Sequence, residues 1–460
     1  MQTSRRDFIR GTAWMGVAAA FAGCATPTAG GGERRSVRGG LAPIQTVRTG
    51  FIGLGRRGSE AARRMSAIPG AVVTALCDID ESRVLRQQAW LRQNGKPEAC
   101  AFVGGKDNVE AWRRLCASED VDLVYIAAPW QEQAKMACEA MSCGKHVAVE
   151  APAAMTVEDC WKLVETSERT GRHCVQLDSC CYGEAEMLCL NLVQNGLLGE
   201  IVHVEGSYVL DLRESLYRSP KHGGDSGYWR LKWNARHQGG CCPVGGLMPV
   251  LRVLGVNRGD RLDSVCCVQS VAHGNDLYAA DTFGARSWQA GVHPMCGDMS
   301  LVMGRTVEGR TVLARHAVST PQPSARHNLV QGTRGMFRGT EFASQAEDFI
   351  RIGDGVQFAW EEKVGVGVAT YFDFEKTEEL RTKWRHPLWR QEWPRLSAMG
   401  DQEGRDFLMD MSLVHSLRNG LPPDRDVYDL ATVCSLVELS ERSCQEGGQP
   451  QKVPDFMCNS

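Results

Sequence analysis

The sequence predicts a two-domain protein that combines an α/β domain with an α+β domain. The α/β domain is a doubly wound parallel sheet, and the second domain is built on an open mixed or antiparallel sheet. Three observations predict this arrangement. The 460 residues exceed the usual size of one domain. Short apolar runs alternate with helical segments in the first 180 residues. Strand-like alternation of polar and apolar residues returns in the second half.

A glycine-rich turn follows the first predicted strand. The strand runs from Val47 to Ile52 and leads directly into Gly53, Gly55 and Gly58, which form the pattern G-x-G-x-x-G before a predicted helix over 59–66. Gly53 permits the tight turn, Gly55 lets the backbone approach a pyrophosphate, and Gly58 lets helix and strand pack closely. The pyrophosphate is expected at the helix N-terminus, where free N–H groups favour an anion. The pattern therefore predicts a dinucleotide-binding Rossmann domain.

An acidic residue ends the second predicted strand. The strand starts at Ala71 and ends in Asp78, twenty positions after Gly58. A carboxylate there binds both ribose hydroxyls and repels a 2′-phosphate, so NAD is the expected cofactor rather than NADP. Asp80 is the alternative acid. Arg56 and Arg57 line the cofactor phosphates in one interpretation and form a solvated pair in the other.

The alternation continues and then changes character. Further strands are predicted at 121–127, 146–150 and 173–177, and further helices at 131–143 and 157–170. The dinucleotide-binding domain is therefore assigned to 46–178 and a substrate-binding domain to 179–460. In the second domain we predict a helix at 184–195, strands at 201–209, 263–272 and 298–317, an irregular stretch at 215–249 and mostly helix after 384. One face of its sheet is expected to pack against the first domain.

Composition excludes several classes of protein. The net charge of −3 argues against nucleic-acid binding. No apolar run reaches about 18 residues, which excludes a multi-span membrane protein. The nineteen cysteines include no C-x-x-C pair, so no metal site is predicted and most thiols are expected to be reduced and buried.

The N-terminus is typical of an export signal rather than of a folded element. Arg5 and Arg6 precede a short apolar stretch at 11–22, a pattern that resembles a twin-arginine signal over 1–24. Cys24 follows Phe21, Ala22 and Gly23, which resemble a lipoprotein box with phenylalanine where leucine is preferred. Attachment of a lipid to Cys24 and its absence therefore both stay open. Residues 25–45 are expected to form a flexible tether. The predicted location is the periplasm or cell envelope, with or without a lipid anchor.

The order of these motifs resembles two nested families. The Rossmann domain, the segment from Gly144 to Pro152 and the open-sheet domain are similar to the Gfo/Idh/MocA oxidoreductase superfamily. Sugar dehydrogenases of that group carry E-K-P where this chain has Glu150-Ala151-Pro152, so their proton-transferring lysine is missing. The closer resemblance is to glycoside hydrolase family 109, the NAD-dependent α-N-acetylgalactosaminidases, and it covers nearly the whole chain. The segments that carry it include Ala128–Trp130, Cys180–Gly183, Asn195–Gly206, Trp229–Lys232, Asn257–Asp260, Asn328–Gly332, His386–Trp389 and Gly420–Asp424.

The resemblance implies a chemistry and a set of site residues. Members of the family oxidise the sugar at C3 with tightly bound NAD, eliminate the aglycone, add water and return the hydride. The partner is then a small-molecule or glycan substrate, and the sequence leaves the oligomeric state open. The implied cofactor-binding residues, besides the three glycines, are Arg56, Arg57, Asp78, Trp130, Gln131, Glu132, Gln133, Glu150, Ala151 and Ser179. The implied substrate-binding residues are Tyr208, Arg230, Cys242, Pro243, Val244, Gly245 and Ser324. Tyr182 is either an acid/base catalyst or a core tyrosine.

Several of these positions depart from the family pattern. The family has Y-P-T-H-G where this chain has Cys242-Pro243-Val244-Gly245-Gly246, so a tyrosine and a histidine are lost. A further histidine becomes Gln133, an asparagine becomes Ser179, a tyrosine becomes Ser324, and a G-H-G-G segment becomes 401–404. Cys242 is either a thiolate or a relic that fills the tyrosine space. Three functions stay open: a glycosidase of this family with weak or altered turnover, an NAD-dependent sugar oxidoreductase, and a catalytically impaired NAD- or glycan-binding paralogue.

Overall fold

The computed structural model describes residues 38–105, 110–222, 224–240, 244–339, 349–352, 357–361, 366–370 and 377–458. The predicted signal with Arg5, Arg6 and Cys24, and most of the predicted tether, lie outside the described residues. Cys242 and Pro243 also lie outside them, and only the backbone of Val244 is described. The predictions made on these positions therefore stay predictions.

The first domain contains a six-stranded parallel sheet with the strand order β3-β2-β1-β4-β5-β6. The strands are β1 (Val47–Ile52), β2 (Ala71–Asp78), β3 (Cys100–Val103), β4 (Leu123–Ile126), β5 (His146–Glu150) and β6 (Cys174–Leu177). The chain starts in the middle of the sheet, moves to one edge and then crosses to the other half. This confirms the predicted doubly wound fold, in which a ligand crevice lies at the carboxyl ends of β1 and β4.

Helices cover both faces of this sheet. They are α1 (Arg56–Met65), α2 (Glu81–Gln93), α3 (Ala111–Cys116), α4 (Trp130–Ser142) and α5 (Val157–Thr170). Helix α1 begins at Arg56, three residues before the predicted start, because Gly55 is still extended (φ −64°, ψ −166°) and the chain turns immediately after it. Phe51 and Tyr125 stack in the core with their ring centroids 4.8 Å apart.

The second domain contains an eight-stranded mixed sheet with the order β13-β12-β11-β7-β10-β9-β8-β16. The strands are β7 (Ile201–Val209), β8 (Leu262–Gln269), β9 (Ser300–Thr306), β10 (Thr311–Ala317), β11 (Leu329–Gly332), β12 (Gly335–Arg338), β13 (Phe349–Ile352) and β16 (Gln451–Lys452). Strands β7 and β10 pair in parallel, and the remaining pairs are antiparallel. The predicted run at 298–317 is two strands that turn at Gly309, whose φ is +82°. A separate hairpin is formed by β14 (Gln357–Glu361) and β15 (Val366–Thr370).

The stretch predicted to be irregular at 215–249 contains regular helix, which corrects that prediction. The helices of the second domain are α6 (Glu184–Gln194), α7 (Arg213–Tyr217), α8 (Trp229–Asn234), α9 (Val244–Leu254), α10 (Gly274–Phe283), α11 (Thr377–Trp384), α12 (Pro387–Leu396), α13 (Asp401–Asn419) and α14 (Val427–Gln445). Helix α9 starts in a glycine pair and contains Pro249, so its intrinsic propensity is poor. Packing decides instead: a Cβ on Gly246 would lie 2.5 Å from the backbone of Ser207, so only glycine lets α9 lie on β7.

Two C-terminal helices join the domains. Within the described ranges, the second sheet meets the first domain through α14, which contacts both α5 and β8, rather than resting on it directly as predicted. Helix α14 is buried along most of its length and starts with a capping box formed by Asp426 and Asp429. Helix α13 packs on α1 and on the short 3-10 turn Ser179–Tyr182. Among the described helices, none is long and apolar enough to cross a bilayer.

Candidate functional site

The glycine turn after β1 has the geometry that a dinucleotide needs. Gly53 has φ +89°, and a Cβ on it would lie 2.4 Å from the carbonyl oxygen of Ala127. A Cβ on Gly58 would lie 1.9 Å from the carbonyl oxygen of Gly53. Neither position accepts a side chain. The Cβ direction of Gly55 meets nothing nearer than the Arg83 guanidinium at 3.8 Å, so a cradle is left open at the N-terminus of α1.

Asp78 and Asp80 have different environments. Asp78 is buried at the end of β2, where its carboxylate accepts a hydrogen bond from the backbone N–H of Leu54 at 2.6 Å in the glycine turn. Asp80 caps α2 by accepting hydrogen bonds from the Ser82 hydroxyl at 2.7 Å and from the Ser82 backbone N–H at 3.0 Å, and these two bonds, the hydroxyl first, lower the pKa of Asp80. Asp78 is therefore the acid that lies beside the cradle, and the residues present fit an NAD adenosine ribose at this point.

Arg56 and Arg57 have different environments, and the predicted contact with the cofactor phosphates stays a prediction for both. Arg56 is exposed at the start of α1. Arg57 turns inward, where its guanidinium lies 3.2 Å from the carboxylate of Glu150 and 2.8 Å from that of Asp406. These two carboxylates raise the pKa of Arg57 above its already high ordinary value. Arg57 thus links the glycine turn to the carboxyl end of β5.

A polar stripe on α13 completes this cluster. Gln402, Asp406 and Asp410 recur every four residues and so share one helix face. The Gln402 amide donates to Ser179 Oγ at 3.2 Å and to Asp406 at 3.0 Å. Asp410 has no exposed surface, and burial raises its pKa to about 7 although Arg64 lies 3.1 Å away. The segment 401–404, which replaces G-H-G-G of the family, contains the first residue of this stripe. The spacing of four residues was the sequence signal that could have identified Asp406 and Asp410.

The segment at the start of α4 connects the two predicted sets of residues. Gln133 donates from its amide to the carbonyl oxygens of Glu150 at 2.9 Å and Pro152 at 2.6 Å, and so fixes the end of β5. Gln131 and Glu132 are exposed, and Ala151 is half-buried. Trp130 packs edge to face with Trp229 at 5.0 Å.

Arg230 extends this contact to the substrate-binding set. Its guanidinium lies 5.4 Å from the ring centre of Trp130 and 4.9 Å from that of Trp229. A guanidinium at this distance is attracted by the aromatic ring. A predicted substrate-binding residue therefore touches a predicted cofactor-binding residue.

The other described substrate-binding residues lie where β7 ends. A Cβ on Gly245 would lie 3.0 Å from the ring of Tyr208 and 3.8 Å from Cys180 Sγ, next to Ser179. The exposed Ser324 is held beside the same strand end, because the backbone N–H of Ala325 donates to Val209 at 2.8 Å. The structure thus brings Tyr208, Gly245 and Ser324 together near the cofactor-binding set.

Tyr182 occupies a buried polar cluster. It is 1% exposed, and its hydroxyl donates to the carboxylate of Asp424 at 2.9 Å. Burial and this carboxylate raise its pKa to about 12. Asp424 also pairs with Arg252 at 3.0 Å. This environment suits the core alternative, and the acid/base role stays a prediction. Among the described residues, no group of three or more His, Cys, Asp or Glu side chains is placed to hold a metal ion.

The fold and the cradle define an NAD-binding Rossmann protein whose second domain is built on an open mixed sheet. Residues 47–178 match the model of the oxidoreductase family with an NAD-binding Rossmann fold. The cofactor of this domain is therefore NAD. Residues 182–460 match the C-terminal domain of glycosyl hydrolase 109. The chain therefore belongs to glycoside hydrolase family 109.

Individual relatives agree with this assignment. The chain is 37% identical to a glycosyl hydrolase family 109 protein of Solibacter usitatus, over 99% of this chain and 97% of the relative. It is 37% identical to an α-N-acetylgalactosaminidase of Bacteroides fragilis, over 90% of this chain and 92% of the relative. Among solved structures, levoglucosan dehydrogenase in complex with NADH and levoglucosan is similar with a TM-score of 0.63 and 17% identity, covering 89% of this chain and all of that one. An oxidoreductase domain protein from Kribbella flavida has a TM-score of 0.63 and 19% identity, covering 90% of this chain and 100% of that one. These solved structures support the fold alone.

Proposed function

We propose that the protein is a glycosidase that acts on α-linked N-acetylhexosamine, with N-acetylgalactosamine as the type substrate, by oxidation, elimination, hydration and reduction. The observation that carries the proposal is the contact of Arg230 with Trp130, which joins the predicted sugar-binding and cofactor-binding residues in one site. The α-N-acetylgalactosaminidase of Bacteroides fragilis supports the choice of sugar.

The chain's own residues hold the cofactor and set the charge around it. When bound, NAD supplies a reversible hydride acceptor for the sugar. Gly55 and the N-terminus of α1 bind the pyrophosphate, and Asp78 binds the adenosine ribose. Arg57 and Gln133 fix Glu150 at the end of β5, so that the carboxyl edge of the sheet is held rigid where chemistry takes place.

Proton transfer is the weak point of the site. Gly245 stands where the family has a histidine, and Gln402 and Gln133 stand where it has two more. Histidine is the side chain best suited to move protons near neutral pH. Turnover of ordinary α-N-acetylgalactosaminides is therefore expected to be slow compared with other members of the family.

The test is the release of nitrophenol from p-nitrophenyl α-N-acetylgalactosaminide by purified protein, with the β-anomer as the control substrate. Slow release from the α-anomer, lost in Arg230→Ala, supports the proposal. Release at rates normal for the family would overturn the expectation of impaired proton transfer. Net formation of NADH from free sugars would support the oxidoreductase instead.

A non-catalytic role is the second candidate, and one observation favours it. The predicted acid/base side chain Tyr182 is hydrogen-bonded to Asp424 in a buried cluster. NAD that is retained by the purified protein without turnover of either kind would support a binding paralogue.

We also propose that Arg5 and Arg6 direct export to the cell envelope by the twin-arginine route, and that Cys24 is the site of any lipid anchor. Replacing both arginines by lysine should keep the protein in the cytoplasm. Unchanged export would reject this localisation, and Cys24→Ala separates anchored from free protein.

A further inference from the structure

Strand β10 carries a buried histidine, one of whose ring nitrogens has no partner in the part of the chain that the structure describes. His316 is 3% exposed, and among the described residues its Nδ1 makes no hydrogen bond. An imidazole nitrogen is always either a donor or an acceptor. A buried polar atom without a partner costs free energy, so its presence calls for a ligand or a water molecule that completes it.

The position of His316 connects it to the candidate site. In the parallel pairing of β7 and β10 it lies beside Tyr208, and the two rings are stacked 5.8 Å apart at an angle of 14°. Tyr208 in turn borders Gly245. The ring of Tyr208 therefore separates His316 from Gly245, the position at which the family has a histidine.

Helix α8 supplies another buried polar atom without a partner among the described residues, in Asn234. A series of contacts connects Asn234 to the strand β9 that pairs with His316. Asn234, at the end of α8, is 3% exposed, and its side-chain oxygen has no hydrogen-bond partner among the described residues. Its own carbonyl accepts from the backbone N–H of Cys296 at 3.1 Å. Cys296 Sγ and Ser300 Oγ both lie within hydrogen-bond distance of the Gly239 carbonyl, at 3.6 and 3.0 Å. Ser300 pairs with His316 across β9 and β10.

We propose that His316 and Asn234 are substrate-binding residues that hydrogen-bond the hydroxyl or acetamido groups of the sugar. The inference rests on the proposed function, since it names further contacts of the same site. A polyhydroxylated ring offers both donors and acceptors, which suits a nitrogen that takes either role and an amide oxygen that accepts. The alternative is that a buried water molecule, rather than the sugar, forms the missing hydrogen bond with each of these two side chains.

His316→Phe separates these alternatives. Phenylalanine keeps a flat ring against Tyr208 and removes both nitrogens, so the packing is preserved while the hydrogen bond is lost. Removing an unpartnered buried nitrogen should leave the melting temperature of the sugar-free protein unchanged or higher. If a water molecule completed His316, the same change would lower the melting temperature instead.

A control histidine lies on the opposite face of the same sheet. His203 is five positions from Tyr208 on β7, so its side chain points away from α9, and its Nδ1 lies 2.8 Å from Thr311 Oγ1. His203→Phe should leave sugar binding unchanged. Asn234→Leu provides the second variant, and it should weaken binding as His316→Phe does.

The measurement is calorimetric titration of NAD-loaded protein with N-acetylgalactosamine. We expect the dissociation constant to rise about tenfold or more in His316→Phe and Asn234→Leu. Native affinity in both variants, or a lower melting temperature of His316→Phe with native affinity, would overturn the inference and leave the proposed function intact. Absence of any titration signal in the native protein would overturn the inference, while nitrophenol release would still report separately on the proposed function.

Discussion

At the scale of single residues, we expect Gly245 to be the replacement that most limits proton transfer. Its backbone is in the first turn of α9 and has no positive φ, so a side chain is conformationally allowed. A Cβ there would lie 3.0 Å from the Tyr208 ring, so that half-buried ring must move by a few tenths of an ångström. The position therefore accepts a side chain at small cost.

Restoring the histidine should restore activity. We expect Gly245→His to raise nitrophenol release from the α-N-acetylgalactosaminide by about tenfold or more, because positioned acid/base groups contribute about 10²–10⁴-fold. Gly245→Ala is the matched control, since it adds the Cβ without the imidazole. Equal rates in the two variants would mean that the missing imidazole does not limit turnover.

Asp410 predicts an unusual dependence of stability on pH. Its folded-state pKa of about 7 exceeds the ordinary carboxyl value, so between about pH 4 and pH 7 the folded state binds more protons than the unfolded state. The contribution of Asp410 to stability therefore falls as pH rises through this window. Asp410→Asn should gain stability relative to native protein between pH 5 and pH 8, on the order of a few kcal/mol.

Thermal denaturation across this pH range measures the effect, and a neighbouring carboxylate gives the opposite sign. Arg57 and Arg64 lower the pKa of Asp406, so its contribution is present at neutral pH and is lost on acidification. Asp406→Asn should therefore be most destabilising at neutral pH. If Asp410→Asn tracked the native protein at every pH, Asp410 would titrate normally.

At the scale of elements, the contact of α1 with β1 determines the cradle. Gly58→Ala places a Cβ 1.9 Å from the Gly53 carbonyl oxygen, which forces the helix away from the strand. We expect Gly58→Ala to lower the free energy of unfolding by about 1–3 kcal/mol and to weaken NAD binding as well.

In Gly55→Ala the new Cβ meets only the Arg83 guanidinium at 3.8 Å, so this variant should fold normally and lose only NAD affinity. The melting temperature and a titration with NAD distinguish the two variants. Normal NAD binding by Gly55→Ala would mean that the pyrophosphate does not bind at this turn.

The elements also show what the sequence could predict. The parallel sheet followed from local signals, because a buried strand, a glycine turn and an acid at fixed spacing all lie within 47–78. Helix α9 could not be predicted, since glycines and Pro249 oppose it locally and only the approach to β7 favours it. Most of the candidate site followed from the family resemblance. The spacing of the stripe on α13 is visible in the sequence, but its burial and the role of His316 required knowledge of which faces are covered, which depends on tertiary packing.

At the scale of the whole molecule, α13 and α14 make the two domains one mechanical unit. Helix α14 is buried between α5 of the first domain and β8 of the second. Asp406 and Asp410 of α13 pair with Arg57 and Arg64 on α1. Unfolding either domain therefore exposes an apolar helix face and leaves buried charges without partners, and both consequences are costly.

This coupling predicts a single unfolding transition that NAD shifts as a whole. We expect one calorimetric peak, and at a hundredfold excess of NAD over its dissociation constant the protein should gain about 2.7 kcal/mol. Hydrogen exchange of peptides around Trp389, whose Nε1 donates to the Tyr182 carbonyl in the second domain, should show the same stabilisation by NAD as circular dichroism of the whole chain. Because the cofactor binds the first domain, exchange around Trp389 that NAD leaves unchanged would show that the domains unfold separately. The double variant Asp406→Ala/Asp410→Ala removes the charged contacts of α13 with α1, and it should broaden the transition while the glycine cradle and Asp78 stay in place.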